Sequence, residues 1–231
     1  MTRNAAPLAP LSPTDRTTVQ RGKHRVVDDR EQLHAFLAEA LVAHVGVVVG
    51  DHPVVLPCAY AVDPAGPDGG GSLYVHGSVA SVWLRHAVGS TVCVTVTELD
   101  GLVAARSAFH HSMNYRSAVV IGRARLVEDE AERGRALDLV VDQMVPGRAA
   151  TLRPSTRKEL AATAVLAVPL HEASMKARAG GPGDDPEDVA AGTWAGHVPL
   201  RRVAETVVPA PEATGPVPAD VAARAAALAA R

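Results

Sequence analysis

The stretch RSAFHHSMNYRS, residues 106–117, places six strongly hydrogen-bonding side chains between two segments made largely of valine, alanine and leucine. These side chains belong to Arg106, His110, His111, Asn114, Tyr115 and Arg116. A buried donor or acceptor without a partner costs about 1–3 kcal/mol, so the stretch is expected to face either water or a polar ligand. The rest of the chain has to decide between the two.

Composition restricts the partners that this chain can bind. Its 231 residues are 47% hydrophobic, which is normal for a globular protein, and carry a formal net charge of -2. That charge gives no electrostatic footprint for nucleic acid and no polybasic patch for an anionic membrane. We therefore expect small-molecule partners or a second copy of the chain, with no nucleic acid and no membrane.

Location and redox state are inferred from features that the sequence lacks. No run of uncharged apolar residues reaches the length that spans a bilayer, and the N-terminal segment has no continuous apolar region of the signal-peptide kind. Cys58 and Cys93 each lie in a valine-rich segment, where a thiol behaves as a small hydrophobe. The sequence predicts a cytoplasmic protein without a disulfide framework.

Composition shifts divide the chain into three parts. Residues 1–20 are expected to form a mobile arm, residues 21–205 one domain, and residues 206–231 a tail rich in Pro and Ala that ends in a possible helix. Within the domain, residues 172–200 are expected to be irregular.

Short strands dominate the predicted domain. The first helix is expected to be capped by Asp28 with Glu31 completing a capping box, a second to run from Ser78 to about Ala87, and a third over 128–145. Strands joined by hairpins, with helices occurring singly, favour a mostly antiparallel barrel with helices outside. The predicted strands are 44–50, 53–62, 73–76, 91–99, 101–107, 118–127 and the end of 159–170, with a hairpin turn between the fourth and fifth.

The segment LYVHGSVASVWLR has the pattern of a phosphate site. A strand ends at His76, Gly77 permits a tight turn, and Ser78 and Ser81 open a helix whose free backbone N–H groups suit an anion. His76 and Arg85 add charge-assisted hydrogen bonds. The alternative is that Ser78 only caps the helix and that Arg85 is solvated.

Other cofactor motifs are missing from the sequence. The glycine run at 69–71 lacks the Gly-Lys-Ser/Thr ending of a phosphate-binding loop, and no G-x-G-x-x-G opens a helix after a strand. His110 and His111 are adjacent rather than at helical spacing, and neither cysteine has a C-x-x-C partner. No metal site is predicted.

The segments LYVHGSVAS, FHHSMNYRS and KARAGGPGDDPED together resemble the flavin-nucleotide-binding branch of the pyridoxamine 5'-phosphate oxidase-like family, which is similar to the nitroimidazole reductases. The resemblance runs from about Thr17 to Leu200. It implies a six-stranded antiparallel Greek-key split β-barrel with flanking helices, and a homodimer with FMN at the subunit interface. The residues that it places around the cofactor are Val55, Leu56 and Pro57 along the flavin ring, Tyr74, His76, Gly77, Ser78 and Ser81 at the ribityl chain and phosphate, Ser112, Met113, Asn114, Tyr115, Arg116 and Ser117 completing the pocket, and Arg85 or Lys176 neutralising the phosphate.

The function that the resemblance implies is an FMN-dependent oxidoreductase, which moves hydride or electrons between a nicotinamide or other donor and a small acceptor. No catalytic residue is assigned. Oxidation of pyridoxamine phosphate itself is not expected, because Val82 and Trp83 stand where the oxidases carry basic residues. The alternatives are a non-catalytic flavin-binding protein, or the same barrel holding F420 or haem with a histidine as axial ligand.

Overall fold

Two antiparallel sheets form the body of the protein in a computed structural model that describes residues 11–12 and 14–229. The larger sheet has the strand order β1-β10-β7-β6-β2-β3, with β11 also paired to β6, and the smaller has the order β4-β5-β9-β8. The strands are β1 Val26–Val27, β2 Ala43–Val49, β3 His52–Cys58, β4 Tyr60–Asp63, β5 Ser72–Ser78, β6 Thr91–Ala104, β7 Ser112–Arg123, β8 Arg125–Leu126, β9 Thr163–Pro169, β10 Ala173–Arg178 and β11 Gly196–Pro199. The helices are α1 Arg30–Glu39, α2 Val82–Ala87, α3 Glu130–Met144, α4 Arg157–Ala162, α5 Pro186–Ala190 and α6 Ala219–Ala229.

The predicted fold class, mainly antiparallel β with flanking helices in a split barrel, is confirmed. The predicted hairpin of 44–50 with 53–62 exists as β2 and β3, but only one residue, Ala59, separates β3 from β4. At that point the chain passes from the larger sheet to the smaller one. The two sheets therefore share a continuous core.

The core is built almost entirely from aliphatic side chains. Val92, Val94 and Val96 alternate along β6 and are buried, while their neighbours in sequence face the opposite side of the sheet. Leu33 and Leu37 of α1 are fully buried against this face and belong to the same cluster. Each such side chain contributes about 1.5–3 kcal/mol when it leaves water, so this packing compensates for the scarcity of aromatic residues.

The long central strand β6 corrects one expectation. A hairpin turn was expected at Asp100 and Gly101, but the strand continues through them with a bulge between Leu99 and Gly101. The two halves of β6 use different neighbours on one edge, since residues 93–96 pair with β2 and residues 101–104 pair with β11. A bulge raises the local twist of a strand, which lets one strand serve both partners.

Three boundaries also differ from expectation. Helix α1 is capped by Asp29 rather than Asp28, with the Asp29 carboxylate accepting the Glu31 N–H at 2.8 Å. Strand β5 continues to Ser78, so that α2 starts at Val82 and Ser81 occupies its N-cap position. The segment 172–200 is not irregular, because it contains β10, α5 and β11.

Both terminal segments contact the domain. In the arm, Leu11 and Thr17 are buried, and the Ser12 N–H donates to the Ala173 carbonyl; residues 1–10 and 13 lie outside the described residues. At the other end, Arg224 of α6 donates to the carbonyls of Met144 and Gln143 at the end of α3. Among residues 11–12 and 14–229, no helix is both long and apolar enough to cross a bilayer.

The C-terminus of α1 depends on two side chains from elsewhere. The Tyr60 hydroxyl donates to the Leu37 carbonyl at 2.6 Å, and the Gln143 amide donates to the carbonyls of Leu37 and Ala40 at 3.0 and 2.7 Å. We expect Tyr60→Phe and Gln143→Ala each to lower the free energy of unfolding by about 1 kcal/mol, because the other donor still serves these carbonyls.

The double variant orphans buried carbonyls that neither single variant leaves without a donor, so its cost is expected to exceed the sum of the two. Urea unfolding of the four proteins in this cycle measures the difference. Strict additivity would contradict a shared capping role.

Candidate cofactor site

One face of the larger sheet, the outer face, points away from the core. Residues directly opposite each other on paired strands share a face, and the register places Pro57, His44, Thr95 and Val119 in one row across β3, β2, β6 and β7. Further rows on the same face hold Val55, Gly46, Cys93 and Ile121, then Thr97, Ser117 and Lys176, then Leu99, Tyr115 and Arg178. The predicted residues Val55, Pro57, Tyr115, Ser117 and Lys176 therefore lie on one surface.

The chemistry of the outer face suits a flat, partly apolar guest. Val55 at its edge is 65% exposed, and the centre carries valine, isoleucine and hydroxyl side chains, with Ser117 and Thr97 hydrogen-bonded at 2.9 Å. The only cation among its five predicted residues, Lys176, donates to the Arg21 carbonyl at 3.0 Å. Exposed apolar surface rimmed by polar groups is typical of a ligand site or a protein interface.

Arg116 points to the opposite side of β7 and does not reach the outer face. Its guanidinium donates to both oxygens of Asp100 at 3.1 and 3.0 Å and to Glu39 at 2.9 Å, and it lies 5.4 Å from the Phe36 ring centre. These hydrogen bonds, chiefly those to Asp100, raise the pKa of Arg116. Because two carboxylates already neutralise its charge, Arg116 has no free charge for a cofactor within one chain, and its cofactor-binding role stays a prediction.

The rest of the SMNYRS stretch is divided between several environments. Asn114 is buried and its amide donates to the Gly180 carbonyl at 3.1 Å, so it holds a loop in place. Met113 is exposed beside Leu102, while Ser112 lines a pocket described below. A strand alternates its side chains between two faces, which is why six consecutive residues do not form one wall.

Strand β5 and the turn after it hold the second predicted group, on the smaller sheet. Tyr74 is fully buried and donates to Glu132 at 2.9 Å, so within one chain its hydroxyl is already occupied, and its contact with the ribityl chain and phosphate stays a prediction. Ser78 is exposed and its hydroxyl accepts the Ala80 N–H at 3.2 Å. Within one chain, Tyr74 and Ser78 belong to the smaller sheet, whereas the outer face belongs to the larger sheet.

The turn and helix α2 complete this second group. A side chain at Gly77 would come within 2.6 Å of Leu84, which explains why glycine stands where α2 packs against the strand. Ser81 starts the helix and Arg85 is exposed one turn later. On β3, the predicted residue Leu56 faces the same side as buried Val45, so it points inward rather than along a surface.

His76 differs from the other predicted residues because it has an unused buried atom. Its Nδ1 is buried and has no hydrogen-bond partner among the described residues. Burial lowers the pKa of His76, so the imidazole is neutral near pH 7. A neutral ring is a weak partner for a phosphate and a good ligand for a metal.

A crevice separates α3 from β9 and α4, and His76 is not among the described residues that line it; we call it the α3 crevice. It consists of cavities of about 310 and 490 Å³ that both touch Leu160. Val165, which pairs directly with His76 across the sheet, lines the smaller cavity. The apolar side chains of the crevice include Leu126, Leu137, Val141, Leu152, Leu160 and Val165.

A pocket that the sequence analysis missed lies at the end of β10; we call it the end pocket. It has a volume of about 540 Å³ and is lined by segments far apart in sequence, namely His24 and Arg25, 109–112 and 177–183. The glycine-rich loop, residues 179–185, is fixed at its later end. There Asp184 accepts hydrogen bonds from the backbone N–H and the guanidinium of Arg106 at 2.9 and 2.7 Å.

Burial opposes ionisation of Asp184, but these two hydrogen bonds from Arg106 outweigh it and lower the pKa of Asp184. The two adjacent acids in GGPGDD were the only sequence signal for the contact between Asp184 and Arg106.

Across the part of the chain that the structure describes, no group of three or more His, Cys, Asp or Glu side chains is placed to hold a metal ion.

The family model described as pyridoxamine 5'-phosphate oxidase matches residues 29–177. The chain belongs to the pyridoxamine 5'-phosphate oxidase-like family. The predicted resemblance to the flavin-binding branch of this family is thereby confirmed. No curated protein sequence matches the chain significantly.

Two solved members of the family are similar over nearly their whole length. The flavocytochrome Anf3 from Azotobacter vinelandii is 38% identical, with 93% of this chain and 98% of that chain covered and a TM-score of 0.84. The FAD and heme binding protein from Mycobacterium smegmatis is 40% identical, with 87% and 97% covered and a TM-score of 0.79.

A nitroimidazole antibiotic resistance protein from Bacteroides thetaiotaomicron is 20% identical, with 65% and 85% covered and a TM-score of 0.53. It shares the fold.

Proposed function

We propose that the protein is a redox protein that binds both a flavin and haem. The support is its similarity, at 38% and 40% identity over most of the chain, to a flavocytochrome and to a FAD and heme binding protein. The flavin belongs to the family assignment, and haem is the alternative that the histidine-rich sequence left open. The observation that carries the proposal is the buried Nδ1 of His76, which has no hydrogen-bond partner among the described residues and whose cross-strand neighbour Val165 lines the α3 crevice.

The flavin is proposed to lie against the outer face in a homodimer. One chain holds the two groups of predicted residues on different sheets, with Tyr115 and Ser117 on the larger and Ser78 and Ser81 near the smaller. A second copy of the chain, packed on the outer face of the first, would bring its own Ser78 and Ser81 turn to that face. In this arrangement the apolar strip around Val119 excludes water from the flavin ring, and the serines hold the phosphate.

The α3 crevice fits haem by its lining and by its polar atoms. Its walls carry leucine, valine and alanine side chains together with polar groups that include Glu128 and Asp138. Arg133 lines the smaller cavity and has a buried Nε without a partner among the described residues, so its guanidinium is suited to a carboxylate of the haem edge. Arg153 in the larger cavity, in contrast, is already bound to both oxygens of Glu159. His76 would supply a neutral imidazole as a ligand.

The chain itself contributes binding, orientation and exclusion of water. When bound, the flavin supplies two-electron chemistry and the haem one-electron chemistry. Burial keeps His76 unprotonated and so available as a ligand. Leu160 and Val165 give the crevice apolar surfaces that would exclude water from a bound ring. Electrons come from a nicotinamide or other donor and leave to a small-molecule acceptor.

The absorption spectrum tests this proposal directly. We expect the purified protein, supplemented with flavin and haem, to show the two flavin bands together with a sharp Soret band, and anaerobic NADH or NADPH to bleach the flavin. A flavin that stays oxidised through the anaerobic addition would instead support a storage protein, and a single deazaflavin band would support F420. Absence of a Soret band after haem titration would refute the haem assignment.

A further inference from the structure

The end pocket contains two guanidinium groups that no carboxylate neutralises. Arg25 donates only to the neighbouring His24 ring at 3.3 Å. Arg178 donates to the Asn114 side chain and to the carbonyls of Gly180 and Gly181. Within the described ranges, neither arginine forms an ion pair, and no acidic side chain lines the pocket.

Several other partly buried arginines in this protein are paired with acids, since Arg106 binds Asp184, Arg116 binds Asp100, and Arg125 binds Asp68 at 2.8 Å. Arg178 instead donates to neutral acceptors, and Arg224 also donates to such acceptors at the end of α3. Because Arg178 is held by neutral acceptors, its guanidinium is fixed in place while its positive charge stays available. Such a group is prepared for an anion from outside the chain.

An aromatic ring stands at the same pocket. Phe109 lines it and is 89% exposed, with its ring edge-on to His110 at 5.1 Å between centres. His110 in turn is paired with Asp185 at 3.2 Å, which leaves the phenyl ring as the apolar surface of the rim. A planar aromatic ligand gains about 0.5–1.5 kcal/mol beyond area burial by stacking on such a ring.

We infer that the end pocket binds the adenosine diphosphate part of a dinucleotide. Arg25 and Arg178 face the two phosphates, and Phe109 stacks on the adenine. This inference rests on the proposed function and deepens it, because the dinucleotide is either the resident flavin in the form of FAD or the nicotinamide donor. Arg178 connects the pocket to the outer face, since it lies in the same row as Tyr115 and also lines the pocket.

Isothermal titration of the protein with ADP tests the pocket without either cofactor's reactive group. We expect ADP to bind and adenosine to bind at least tenfold more weakly. Arg25→Gln and Arg178→Gln are each expected to weaken ADP about tenfold or more, which is about 1.4 kcal/mol, and Phe109→Ala about threefold or more. The matched control is Arg123→Gln, an exposed arginine at the other end of β7, for which the change is expected to stay within twofold.

Titrations with FAD, FMN and NADH show whether the ADP group that binds the end pocket belongs to the flavin or to the nicotinamide donor. If it is the flavin, FAD binds at least tenfold more tightly than FMN, and Arg25→Gln removes that preference while FMN binding stays unchanged. If it is the donor, FAD and FMN bind equally and Arg25→Gln weakens NADH instead. ADP that fails to bind the wild-type protein, or binds all variants alike, overturns the inference, whereas FMN and FAD both failing to bind overturns the proposed function.

Discussion

Replacing His76 by alanine is expected to remove haem from the protein and to leave flavin bound. The imidazole is the proposed haem ligand, and the described residues that line the α3 crevice include no histidine that could replace it. Loss of the axial bond is expected to lower the haem content at least tenfold, measured from the Soret band against protein concentration. Exogenous imidazole is expected to restore the band in part, because the substitution leaves space for it.

The stability of the cofactor-free variant separates a ligand from a structural residue. The Nδ1 of His76 is buried without a partner, which costs free energy in the folded protein. His76→Ala is therefore expected to melt at the same temperature as the wild-type apoprotein or slightly higher. The control is His52→Ala, an exposed histidine next to the β2–β3 turn, which is expected to keep full haem content. A His76→Ala protein with an undiminished Soret band would refute the assignment.

Placing a carboxylate in the middle of the outer face is expected to separate the dimer and to release flavin. Val119 lies at the centre of that face, between Thr95 and Ser174 on the neighbouring strands. An unpaired charge in an interface loses its hydration and costs several kcal/mol. Because the twofold axis of the proposed dimer would apply the change twice, we expect Val119→Glu to weaken dimerisation at least a hundredfold.

Light scattering after size exclusion and the flavin content of the same fractions measure this effect together. Val208→Glu provides the control, since Val208 is 88% exposed and lies outside both sheets. It is expected to remain a flavin-containing dimer. Monomeric Val119→Glu protein that retained stoichiometric flavin would show that the cofactor does not lie between two copies.

The existence of the helices and strands was predicted from the sequence better than their first and last residues. Hydrophobic periodicity correctly indicated α1, α3 and the β2–β3 hairpin, because each pairs an alternating or helical pattern with a local turn or cap. The Asp-Gly dipeptide after Leu99 indicated a hairpin for a sound local reason. It is instead a bulge in β6, because β11, which lies more than ninety residues later in the sequence, pairs with the continuing strand. No local signal carries that information.

The arrangement of the predicted site residues could not be read from the sequence. The strand expected at 118–127 begins earlier, at Ser112, so the motif 112–117 lies within β7, where alternation sends Tyr115 to the outer face and Arg116 to the other side. Predicting that division required the pairing register, and the register depends on long-range contacts. The end pocket was missed for the same reason, because His24 and residues 177–183 meet only after β1 pairs with β10.

The pairing pattern of β6 and β7 has a consequence for how the chain folds. Val94 pairs with Val120, whereas Val75 of the smaller sheet must find Leu166. Closing a longer loop costs more chain entropy, and contacts distant in sequence form later. We therefore expect the β6–β7 pair to acquire hydrogen-exchange protection during refolding before the β5–β9 pair that contains His76. Because the β5–β9 pair forms later and contains His76, haem bound at His76 is expected to accelerate this slower step of folding more than the faster ones.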